Sequence, residues 1–111
     1  MASRDPYLLV RSEVESSLQS AITLHGSYRR ISKTLPESSH ATSEELNWSR
    51  DELKGTLSAL ESDVDELESS VEVITRDPAR FGVDNKEIES RRQFIVRVRG
   101  EHRPLAYISL S

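Results

Sequence analysis

The sequence has no cysteine, which excludes disulfides and thiolate metal sites. The absence suits a reducing compartment such as the cytosol. Aromatic residues make up only 5%, so the apolar content rests on Leu, Ile and Val. That supply suits helices better than a sandwich. Four glycines and four prolines are too few for a loop-rich or collagen-like chain. The amino terminus has no apolar core of signal-peptide length. The longest apolar stretch, Leu105-Ala106-Tyr107-Ile108-Ser109-Leu110, is far shorter than the ~20 residues that span a bilayer. At 111 residues one domain with one modest core is the ceiling.

Charge is plentiful, at 31% of residues with a formal net of −4. Its distribution says more than its sum. Residues 42–76 hold ten acids against three bases, a net of −7, while residues 1–36 and 84–103 each come to +2. An acidic segment between two mildly basic ones helps neighbouring helices align, although each exposed pair contributes little. No concentrated basic stripe is present, so no nucleic-acid partner is expected.

Three amphipathic runs carry the pattern. In the first, about 7–35, Tyr7, Val14, Ala21, Tyr28 and Leu35 recur every seven residues. Val10, Leu18, Leu24 and Ile31 fill the turns between them. Asp5 suits an N-cap and Pro6 the first helical position. Pro36 stops the run, and residues 37–41 read as a polar loop. The second, about 43–76, opens on a capping box with Thr42 at the N-cap and Glu45 three residues on. Leu53, Leu57, Leu60, Val64, Leu67, Val71 and Ile74 follow at spacings of four and three, and Leu46 extends that seam backward. A connector through Asp77-Pro78 and Gly82 follows, with Phe81 and Val83 expected to fold onto the bundle end. The third, about 85–99, is capped by Asp84. It places Ile88, Arg91, Ile95 and Val98 on one face with Phe94 beside them. Gly100 and Pro104 are expected to end it, leaving 100–111 as a disordered tail.

Three such stripes hide one another most simply as an all-α, antiparallel up-down-up three-helix bundle over residues 1–99. A self-associating coiled-coil scaffold or tether subunit is the alternative, but the two proline-marked breaks turn the chain back on itself. The expectation is therefore a monomeric domain. No cofactor, metal or catalytic site is expected. His25, His40 and His102 lack ligand spacing. The carboxylates of the second run read as a solvated face, and neither a nucleophile elbow nor a phosphate loop occurs. An acidic adaptor with an enzyme-like site is thus a distant reading. Arg91, Arg92, Arg97 and Arg99 are too diluted by Glu87, Glu89 and Glu101 for a membrane-surface helix. Trp48 is expected to pack at the bundle end rather than anchor an interface.

Four stretches together resemble one family. They are Asp5-Pro6-Tyr7 with Val10 and Glu13-Val14; Glu44-Glu45-Leu46-Asn47-Trp48 with Asp51-Glu52-Leu53; Asp77-Pro78-Ala79-Arg80-Phe81-Gly82-Val83-Asp84; and Arg91-Arg92-Gln93-Phe94-Ile95. Their order and spacing resemble the N-terminal domain of the syntaxin-6 class of SNARE proteins and its fungal late-Golgi and endosomal t-SNARE relatives. The resemblance implies a Habc-type regulatory domain on the cytosolic face of trans-Golgi and endosomal membranes. It implies binding of an N-terminal peptide from a GARP-type tethering-complex subunit. In the full-length family, other SNAREs and a membrane anchor join it. The SNARE heptads and anchor are not found in these residues. The site expected from the resemblance gathers Asp5, Pro6, Tyr7 and Val10 from the first helix with Arg91 and Phe94 from the third.

Overall fold

A computed structural model of the chain describes residues 5–34 and 40–110, the side chains of 40–43 and 108–110 and of Thr34 excepted. Helix α1 spans Tyr7–Thr34, α2 His40–Arg76, α3 Pro78–Phe81 and α4 Asn85–Leu110. No strand occurs among the described residues. The molecule is a rod of 62 × 23 × 16 Å.

Cross-helix bonds fix the directions. Arg50 of α2 donates to the Tyr28 hydroxyl of α1 at 2.9 Å, and Ala21 packs with Leu53 and Leu57. Rising numbers on one helix thus meet falling numbers on the other. Between α2 and α4, His102 lies 3.2 Å from the Leu57 carbonyl, Arg99 bonds Asp65 and Glu68, and Arg92 bonds Thr75. The three long helices are therefore antiparallel in sequence order, the up-down-up bundle expected from their stripes.

The seam of α2 forms the centre. Leu53, Leu57, Leu60, Val64, Leu67, Val71 and Ile74 are all buried, each such side chain contributing roughly 1.5–3 kcal/mol on leaving water. They divide into two clusters. The larger joins Leu60 to Ile74 with Tyr7, Val10, Val14, Ile88, Phe94, Ile95 and Val98, and Phe81 and Val83 of the connector close over it. The smaller joins Ala21, Leu53 and Leu57, with Leu24, Leu105 and Ala106 against it.

Four expectations need correction. Helix α2 begins at His40, so residues 40–41 are helical and Thr42 lies inside the first turn instead of capping it. Leu35, Pro36 and loop residues 37–39 lie outside the described residues. The connector holds a turn of helix, α3, with Pro78 at its start and Gly82 closing it at φ 65°, the left-handed region glycine enters without strain. Trp48 is 61% exposed, while Ser49 is buried in its place. Ser49 lies one turn before Leu53 on the seam, and Trp48 falls to the side.

The largest correction concerns α4, which neither stops at residue 99 nor leaves a disordered tail. It runs to Leu110 with Pro104 inside it. Proline removes one donor, and the carbonyl deprived of it is that of Gly100, four residues earlier. Packing outweighs this loss: Leu105 and Ala106 cover the smaller cluster, which would otherwise face water. A Cβ added at Gly100 meets nothing within 4 Å, so Gly100→Ala should stabilise by up to ~1 kcal/mol. Pro104→Ala, which restores the donor, should add roughly 1–3 kcal/mol. Urea denaturation checks both. An unchanged midpoint in both variants would mean that 100–110 contributes no helix in solution.

Candidate functional site

The expected site residues converge at the end of the rod that carries α3. Asp5 and Pro6 precede α1. One Asp5 carboxylate oxygen accepts the Tyr7 backbone N–H at 3.1 Å, and the Pro6 carbonyl accepts the Val10 N–H at 3.1 Å. This is the capping chemistry that Asp-Pro suggests. The cap at α4 is parallel, with Asp84 accepting the Glu87 N–H at 2.8 Å.

Asp5 has a second task. Its other oxygen accepts the Arg91 guanidinium at 2.6 Å. Glu87, one turn before Arg91 on α4, holds the Nε at 3.1 Å. The guanidinium carbon stands 4.2 Å from the Tyr7 ring centroid, a cation–π contact out of water. The Arg91 side chain is 7% exposed and Tyr7 is 1% exposed. Among the described residues, Arg91 Nη1 is buried with no hydrogen-bond partner, and the buried Tyr7 hydroxyl has the Arg11 guanidinium beside it. This node thus joins residue 5 to residue 91 and contains a charge-assisted pair, the strong kind of hydrogen bond.

Of the six expected residues, Asp5, Tyr7 and Arg91 are brought into direct contact. Val10 and Phe94 join Tyr7 in the larger core cluster, and Pro6 is exposed. Tyr7, Val10, Arg91 and Phe94 are buried, so they shape this end from beneath its surface.

What lies on the surface was not singled out from sequence. Arg11, one turn after Tyr7, places its guanidinium 4.5 Å from the Phe94 centroid. Arg97 approaches the same ring at 5.2 Å. With Ser90 and Gln93 they line a groove of about 360 Å³ between α1 and α4. Leu8, one turn before Arg11, is 71% exposed. The signal for Arg11 was its spacing of four from Tyr7, which puts both on the α4 side of α1. Among the described residues no group of three or more His, Asp or Glu side chains is placed to hold a metal ion, and no helix is long and apolar enough to cross a membrane.

The N-terminal domain model of syntaxins 6, 10 and 61 matches residues 5–104, from the capping aspartate to the proline within α4. The chain belongs to the syntaxin 6/10/61 family. It is 30% identical over 99 residues to human syntaxin-6, covering 89% of this chain and 38% of that protein. It is 31% identical to human syntaxin-10 over 99 residues, 89% of this chain and 39% of that one. With syntaxin-61 of Arabidopsis thaliana it shares 28% over 102 residues, 92% of this chain and 38% of that one. The chain therefore spans less than half the length of these syntaxins, and the match falls on their N-terminal domain. The syntaxin 6/10/61 match runs past residue 99, in keeping with the continuous α4.

Acid should reveal the node. Burial pushes the Asp5 carboxyl up, but the Arg91 hydrogen bond, the Tyr7 N–H and the Arg91 charge together hold it below its ordinary 3.8. A depressed folded-state pKa contributes stability that is complete above the unfolded value and fades as pH falls through the folded one. Unfolding midpoints should thus lose stability below about pH 4, and Asp5→Asn should remove part of that slope while lowering stability near neutrality. If the variant kept both the slope and the neutral-pH midpoint of the parent, Asp5 would not be carrying the pair.

Proposed function

We propose that this chain is a non-catalytic N-terminal regulatory domain of a syntaxin-6-like t-SNARE. It docks a peptide from a GARP-type tethering-complex subunit during vesicle-mediated transport from endosomes to the Golgi. The observation that carries the reading is the α1–α4 groove beside the Arg91–Asp5 node, where two of the family landmarks meet. The docked segment is short and partly helical, laying an apolar face between two bundle helices as in helix-in-groove recognition. Asp5, Pro6, Tyr7, Val10, Arg91 and Phe94 set the shape of this end, and Leu8 supplies exposed apolar contact.

The domain works on the cytosolic face of trans-Golgi and endosomal membranes. There it precedes the SNARE motif and anchor of a longer protein, and other SNAREs are that protein's partners. Recruitment of the tether near the membrane is the proposed role of the domain itself.

Titrating a fluorescent N-terminal peptide of the tether subunit against the domain tests this. Leu8→Ser leaves the core intact, because Leu8 is exposed, and should weaken binding by about tenfold if the leucine is an interface anchor. Trp48→Ser, on the α2 N-terminal half far from the node, should leave affinity unchanged. Absence of binding, or loss with Trp48→Ser alone, contradicts the reading.

A further inference from the structure

The α1–α4 groove carries a charge pattern that specifies its ligand. Arg11 and Arg97 come from different helices, yet both guanidiniums lie against one ring, Phe94, at 4.5 and 5.2 Å. Two cations on one buried ring repel each other, and the other groove residues, Ser90 and Gln93, are uncharged. Partial compensation comes from α1 itself, where Glu15 bonds Arg11 Nε at 2.9 Å in an exposed i,i+4 pair. Arg97 has no ion-pair partner among the described residues. Glu89 is engaged by Gln93 at 3.0 Å, and Glu101 lies exposed one turn beyond Arg97. The opposite groove, between α2 and α4, differs: there Arg99 is held by both Asp65 and Glu68.

Stacking on a ring fixes a guanidinium plane while leaving its N–H edges free to bind a carboxylate. Leu8, three residues before Arg11 and so neighbouring it on the surface of α1, is exposed and offers an apolar contact next to the Arg11 arm. We infer that Arg11 and Arg97 form a clamp, with Phe94 as its floor, for a carboxylate side chain on an acidic helical segment of a partner protein. That carboxylate is followed one helical turn away by a large apolar residue seated on Leu8. The inference rests on the docking reading above only in placing a peptide in this groove, and it adds the chemistry that selects the peptide. Glu15 acts as an internal competitor: it occupies one arm of the clamp until the incoming carboxylate displaces it.

The probe is a blocked, alanine-rich helical peptide bearing Glu and Leu one turn apart, with a twin carrying Gln in place of Glu. Isotope-labelled domain is titrated with each and followed by NMR, including the arginine Nε–H signals. The Glu peptide should shift Arg11, Ser90, Gln93 and Arg97, and the Gln twin should bind about tenfold more weakly or worse, as expected for loss of charge-assisted hydrogen bonds. Arg97→Gln should weaken the Glu peptide comparably, and added salt should weaken it progressively. Glu15→Gln should tighten it by about twofold, the worth of an exposed i,i+4 pair. Arg92→Gln, on the opposite groove, should change nothing. Equal binding of the two peptides, shifts centred elsewhere, no binding, or no response to both Arg97→Gln and Glu15→Gln overturns the clamp. A domain that binds the tether peptide but is indifferent to the carboxylate removes the clamp and leaves the docking reading standing. Binding of the Glu peptide with no affinity for the tether does the reverse.

Discussion

The Arg91 guanidinium, buried at one end of the bundle, is the constraint around which the rest is arranged. A charge withdrawn from water is costly unless it is paired and hydrogen-bonded. Arg91 meets that requirement from three directions: Asp5 across the groove, Glu87 on its own helix, and the Tyr7 ring beneath. Burial alone would lower its pKa, but the bonds to Asp5 and Glu87 more than offset this and keep it charged. A lysine could not replace it, since one ammonium cannot offer separate edges to two carboxylates while lying flat on a ring. The same Asp5 also caps α1. The start of the first helix and the second turn of the last are therefore fixed by one carboxylate.

That attachment explains the shape of the groove. Helices α1 and α4 touch each other less than either touches α2. They are drawn together at the node, and beyond it Arg11 and Arg97 both lie against the Phe94 ring, at 4.5 and 5.2 Å from its centroid, and line one groove. The far end of the rod is organised differently. Its apolar cluster is small, and α4 covers it only by continuing through Gly100 and Pro104. One end is thus held by a charged node over a large core, the other by a proline-interrupted helical extension over a small one. Local opening is expected to be easier at the second end, where fewer apolar contacts resist it.

Most of the architecture was legible because it rests on periodicity. The α2 seam, the antiparallel order and the caps at Asp5 and Asp84 follow from spacing and from short-range hydrogen bonds. The departures from expectation share a cause: local signals point one way where tertiary packing decides the other. Gly100 and Pro104 argue for a helix end, but the demand of Leu53 and Leu57 for cover extends the helix. Thr42 and Glu45 make a capping box in sequence, but the helix begins earlier. For Trp48, residue type suggested burial, while its angle off the seam places it outside. The site was half legible. Family landmarks pointed to Asp5, Tyr7, Arg91 and Phe94, and these do assemble. Their burial was not visible, nor was the pairing of Arg11 with Arg97, because charged residues at exposed helical positions carry no pattern until the facing helix is known.

Asp5 and Arg91, 86 positions apart in sequence, stabilise the fold through each other. A double-mutant cycle of Asp5→Asn and Arg91→Met, read by urea denaturation near neutral pH, tests it most directly. The expected coupling is at least ~1 kcal/mol, the double variant losing less than the two single losses combined. Losses that add to within ~0.3–0.5 kcal/mol, the tolerance of independent sites, would contradict it.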